Sequence, residues 1–146
     1  MAFFEQHSEE ASRRLAAQLA PHLAPGEPLD GVVHAVHAKL FSADLYAVGV
    51  TPSRLLLLPL DRRMEATAPP VAATRDEITD ASVWGWGGSL ADFLSATAGQ
   101  QIRFTAAGAK FKLMVLGGNL LEDALAGPTQ RAGLETLVAF LLSARR

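Results

Sequence analysis

The chain of 146 residues contains no cysteine. That absence excludes disulfides, thiolate metal sites and a cysteine nucleophile, so the hydrophobic core alone must supply stability. Charge is sparse, with 19% charged residues and a formal net charge of -2. No stretch concentrates basic side chains. Arg13-Arg14, Arg62-Arg63 and Arg145-Arg146 are far apart and interleaved with acidic residues, which argues against the basic footprint of a nucleic-acid binder. Long apolar runs are missing too. Leu55-Leu56-Leu57-Leu58 falls far short of the roughly 20 residues that span a bilayer. The opening Met1-Ala2-Phe3-Phe4-Glu5-Gln6-His7-Ser8-Glu9-Glu10 is acidic and amphipathic, unlike a secretory leader. The expected location is the cytoplasm.

What is present is a globular composition, 49% hydrophobic, at a length that suits one domain with one core. The pattern predicts a single domain over 1–146, with an N-terminal helix in 1–25, strands over 26–127 and a capping helix over 128–146. Phe4, Ala11, Leu15, Leu19 and Leu23 form one helical stripe, ended by Pro21 and Pro25-Gly26. Leu134, Leu137, Val138, Leu141 and Leu142 form another, with Pro128 expected to open that helix.

Strands are expected at 31–38, 45–51, 54–60, 78–84, 101–105 and 110–116 from β-branched and alternating patterns. Turns are expected at Thr51-Pro52-Ser53-Arg54 and Ala106-Ala107-Gly108. Residues 61–77 and 117–127 read as loops, and 89–96 is ambiguous between strand and helix. The third strand is apolar on both faces, so each face must be covered, and a terminal helix is the obvious candidate. In 110–116, Phe111, Leu113 and Val115 are expected inward, with Lys110 and Lys112 toward water. Short turns between consecutive strands imply antiparallel pairing.

Leu23-Ala24-Pro25-Gly26-Glu27, the run from Tyr46 through Thr51 and Arg54 to Leu57, and Phe111-Lys112-Leu113 before the last helix together resemble the bacterial pleckstrin-homology-like (PH-like) domains over residues 20–145. The resemblance implies an α+β fold: a bent antiparallel β-barrel capped by a C-terminal amphipathic helix, here with an additional N-terminal helix. It also implies a non-enzymatic domain without a cofactor, acting through protein contact as an adaptor or a homo-oligomer. Phosphoinositide-binding relatives gather several cations around the first strand and its following loop. Here Val36–Asp44 offers only Lys39, too little to clamp a polyanionic headgroup.

Four residues are expected to form a contact surface: Trp84, Trp86, Arg62 and Arg63. Trp84 and Trp86 share a strand face beside Gly85, Gly87 and Gly88, as an aromatic platform or as a packing pair at a bent strand. Arg62 and Arg63 fit an acidic partner or a solvated loop, partly neutralised by Asp61 and Glu65. Gly87-Gly88-Ser89-Leu90-Ala91 is a weak nucleophile elbow, since every histidine precedes Ser89. His34 and His37 lie three apart on a strand, hence on opposite faces, and no metal site is expected. One partly buried, hydrogen-bonded histidine is expected instead. The acidic residues of the first helix disfavour a membrane-surface role and favour docking on the domain or on a second copy. A membrane-surface or small-ligand-binding module is the alternative function.

Overall fold

The computed structural model describes residues 2–38, 43–84, 100–115 and 120–144, with side chains described for 9–37, 44–82, 102–115 and 129–144. Helix α1 (Ala2–Leu19) runs into a 3-10 turn (Ala20–His22). The strands are β1 (Gly31–Ala38), β2 (Ala43–Val50), β3 (Arg54–Leu60), β4 (Val71–Thr74), β5 (Ile78–Trp84), β6 (Gln100–Ala106) and β7 (Ala109–Val115), and helix α2 (Leu120–Ala144) closes the chain. All described pairings are antiparallel, in the order β4-β3-β2-β1-β7-β6-β5. The edge strands β4 and β5 are consecutive in the chain, joined by a 3-10 turn at Arg75–Glu77. The result is a nearly closed, barrel-like seven-strand sheet with a helix from each end of the chain, an α+β architecture consistent with a PH-like fold.

The apolar third strand explains where the helices go. Leu55 and Leu57 point into the barrel, beside Val33, Val48, Phe104, Leu113 and the α2 residues Leu134, Leu137 and Leu141. Leu56, Leu58 and Leu60 point outward, where Leu15 and Leu19 of α1 join Val32 and Ala47 in a second cluster. The two helices therefore cover the two faces of one strand. Burial of this kind is worth about 1.5–3 kcal/mol per large aliphatic side chain. Helix α1 packs on the sheet of its own chain, and polar contacts fix its position. Arg14 donates to the Arg63 carbonyl, and Gln18 bonds the Met64 carbonyl and the Ala66 N–H.

Three sequence expectations change. Residues 61–77 contain β4 and a 3-10 turn, where Glu77 closes a capping box on Thr74. β4 is short and carries no large alternation, so period alone could not show it. Second, α2 begins at Leu120, and Pro128 lies inside it instead of opening it. Leu120, Leu121, Ala124, Leu125 and Ala126 are good helix formers, and Glu122 and Asp123 suit the positive end of the dipole. Third, Leu142 is 50% exposed while Phe140 is 4% exposed. The helix is turned toward Phe140, whose ring lies 4.4 Å from the Arg75 guanidinium.

Helix α2 also seals the edge of β1. Among the described residues, β7 pairs with β1 over Ala35, Val36 and His37. Ahead of that, the Gln130 side chain stands in for a strand. Its Oε1 accepts the His34 N–H at 3.0 Å, and its Nε2 donates to the His34 carbonyl at 3.1 Å. One turn on, Gly133 lies against the Val32 backbone, and a Cβ placed there would meet the Val32 carbonyl oxygen at 2.3 Å.

Glu27, Thr51 and Arg54, from two of the three stretches that resemble the family, meet in one network. Arg54 donates twice to the Glu27 carboxylate, at 3.0 and 2.7 Å, and once to the His22 carbonyl. Thr51 Oγ1 accepts the Ser53 and Arg54 N–H groups and shapes the β2–β3 turn. The Arg54 bonds, then the Ala24 N–H, hold the Glu27 carboxyl at about 2, below its ordinary 4.5. A depressed acid contributes stability that is complete above pH 4.5 and is lost as pH falls toward 2. Thermal melts across that window are expected to fall less steeply for Glu27→Gln than for the parent chain. Parallel melting profiles would remove this pair from the account of acid sensitivity.

Candidate contact surface

The outer face of the sheet divides into two halves. Over β1–β3 it is apolar and lies under α1. Over β5–β7 it is polar. Alternation sends Ile102, Phe104, Phe111 and Leu113 inward and leaves Arg103, Thr105, Lys110 and Lys112 outward. The β6–β7 turn at Ala107 (φ 49°) and Gly108 (φ 83°) has both residues left-handed, as a type I′ two-residue hairpin connection requires. That turn fixes the register, with Arg103 opposite Lys112 and Thr105 opposite Lys110.

A bulge in β5 completes the surface. Between Thr79, opposite Thr105, and Ser82, opposite Arg103, the register shifts. Asp80 takes φ 55° there, a conformation that aspartate tolerates better than most residues. Beside the bulge is a cleft of about 480 Å³ lined by the inward-facing Phe104 and Phe111, by His37, Asp80, Ser82 and Thr105, and by the outward-facing cations Arg103, Lys110 and Lys112. Phe104 and Phe111 stack with centroids 5.5 Å apart, and the His37 ring tilts against Phe111 at 5.7 Å. Among the described residues, Arg103, Lys110 and Lys112 have no carboxylate within ion-pair distance.

Ser82, His37 and Asp80 are the residue types of a hydrolytic relay, but their arrangement differs from one. A relay needs histidine Nδ1–H directed at the carboxylate. Here His37 Nδ1 accepts the Lys112 N–H at 3.1 Å. His37 is thus the hydrogen-bonded histidine expected from sequence. His34 lies on the other face, and its Nε2 is buried without a hydrogen-bond partner. Burial pushes its pKa down. Among the described residues, no group of three or more His, Asp or Glu is placed to hold a metal ion.

Of the four expected contact residues, Arg62 and Arg63 have described side chains. Arg62 and Arg63 are exposed in the turn after β3. Asp61 Oδ1 caps that turn by accepting the Arg63 and Glu65 N–H groups at 2.8 and 3.0 Å. The Arg63 backbone serves to dock α1. Trp84 is the last residue of β5, opposite Gln101, and its side chain lies outside the described residues. Trp86, Lys39, the Ser89 elbow and the ambiguous 89–96 segment also lie outside them.

Sequence reading placed Lys110 and Lys112 in water but did not bring them to Arg103. The signal was the hairpin itself: a two-residue turn at Ala107-Gly108 fixes which residues of the flanking strands face each other. No helix among the described residues is long and apolar enough to cross a membrane. Comparison with protein-family models, curated proteins and solved structures gives no match for this chain.

Proposed function

We propose that the protein is a non-enzymatic PH-like domain that acts in the cytoplasm through protein contact, as an adaptor or a self-assembling module. One observation carries this reading. α1 occupies the apolar outer face within the chain, while the cationic β5–β7 face and its cleft carry charge without a carboxylate partner among the described residues. Two cations set directly opposite across a strand pair weaken that pair. Arg103 and Lys112 stand in that relation, which makes sense where something anionic comes to lie over them.

The test is capture from host lysate by the tagged protein, compared with Arg103→Glu/Lys112→Glu and with Trp84→Ala/Trp86→Ala, alongside sedimentation of the purified chain. A partner or self-association lost on charge reversal supports the reading and places the contact on β6–β7. Loss only with the tryptophan pair moves the contact to the end of β5. Neither capture nor self-association in any sample sinks it. A small-ligand role is the second reading, favoured by the cleft volume of about 480 Å³, which lies in the range that bound small molecules occupy. Thermal stabilisation by a library compound, abolished in the charge-reversed variant, would select that reading instead.

A further inference from the structure

We infer that the β6–β7 face receives an extended acidic segment of a partner protein, laid along β7 with alternate carboxylates over Lys110 and Lys112. This rests on the protein-contact reading above and names the chemistry of the partner. Lys110 and Lys112 leave the same face of one strand, so their stems are separated by about 6.8 Å. Alternate side chains of any extended chain repeat at that same interval. Arg103 lies opposite Lys112, and Thr105 opposite Lys110. Each lysine position therefore has a second donor across the ladder, a guanidinium fork in one case and a hydroxyl in the other. A carboxylate seated between Arg103 and Lys112 turns a repulsive cross-strand pair into an attractive triad.

Asp80 decides between an extended segment and a compact polyanion. Its carboxylate lines the same cleft from β5. A clustered phosphate headgroup centred on the cleft meets that charge at short range. A segment running along β7 has β6 between it and β5. The two lysines also follow one another along β7, with Arg103 beside Lys112, an arrangement that matches the repeat of an extended segment.

The experiment titrates the full-length chain against fluorescent peptides, read by anisotropy. One peptide alternates Glu with Ser, an isomer groups the same glutamates at one end, and a third alternates Lys with Ser. Vesicles rich in phosphatidylserine and inorganic phosphate are run beside them. The alternating Glu peptide is expected to bind, to weaken as salt rises, and to lose about tenfold or more in affinity with Lys110→Glu/Lys112→Glu. The grouped isomer and the Lys peptide are expected to bind more weakly. Melting curves confirm that the variant is folded, and Arg14→Glu, on the other half of the surface, is expected to bind as the parent does. Equal affinity for the two Glu isomers, indifference to charge reversal, or binding to vesicles or phosphate alone overturns the inference. A lysate partner that depends on Arg103 and Lys112, with no binding of the alternating peptide, overturns the acidic segment and leaves protein contact standing. Absence of both overturns the two together.

Discussion

Gln130→Ala is expected to cost about 2–5 kcal/mol, because it strips both hydrogen-bond partners from the His34 peptide groups at once. Leaving a buried donor or acceptor unmade costs roughly 1–3 kcal/mol, and here one of each is lost. Gln130 is itself 6% exposed, so water has little room to replace it. Two companion variants separate bonding from packing. Gln130→Leu keeps the volume and removes both bonds, so it is expected to fall nearly as far. Gln130→Glu keeps an acceptor for the His34 N–H and removes the donor to the His34 carbonyl. Its protonated form restores that donor, so the stability deficit of this variant is expected to shrink as pH falls. Urea denaturation at two pH values measures all three. A loss under about 0.5 kcal/mol for Gln130→Ala, the range of ordinary surface substitutions, would show that the β1 edge does not depend on this amide.

Gly133→Ala pits two opposing effects against each other. Alanine favours a helix interior over glycine by about 1 kcal/mol. Its Cβ, however, would stand 2.3 Å from the Val32 carbonyl oxygen and 2.9 Å from its carbon. The obstacle is backbone, so α2 must lift away from β1 as a body. Overpacking of that sort costs about 1–3 kcal/mol and at times more. The displaced helix also loosens the Gln130 bonds one turn away. The net expectation is destabilisation by up to about 2 kcal/mol, a Tm lower by up to roughly 8 °C. A milder effect is expected at Gly31→Ala, whose Cβ would meet Thr136 Cβ at 3.1 Å and Gly133 Cα at 3.2 Å. Those separations are nearly 1 Å longer than the Gly133 clash, so a displacement of a few tenths of an ångström relieves them. An unchanged or raised Tm for Gly133→Ala would mean that α2 sits less closely on β1 than described.

Most of the frame was legible because it follows from period. The 31–38 and 78–84 strands occur where alternation and β-branching put them, and the 54–60 strand where a short apolar run after a turn put it. The two-faced apolarity of Leu55–Leu58 announced cover on both sides, and both helices supply it. Period fails where an element is short or uniformly apolar. β4 is four residues with small side chains. The first turns of α2 mix leucine, alanine and acids without a clean stripe, and Pro128 resembles a start signal. The contact surface was harder to read because it depends on register. Arg103 and Lys112 are nine positions apart and meet only across a ladder, and the bulge at Asp80 leaves no sequence signature beyond a residue that tolerates a left-handed backbone. The Gln130–His34 contact joins residues 96 apart, which no local pattern reveals.

That separation orders events on the ribosome. α1 is made first, and its apolar counterpart is complete once β3 has emerged, so this half can assemble early from contacts that are close in the chain. Among the described residues, the leading half of β1 has no strand on its β7 side, and the His34 edge lacks its partner until Gln130 has been synthesised. Over that interval the nascent chain presents a bare strand edge, the feature by which sheets recruit other chains. Release of the last helix is therefore the step that ends the exposure. A released chain truncated before residue 130 is expected to be captured by holdase chaperones, while one that runs through residue 144 is not.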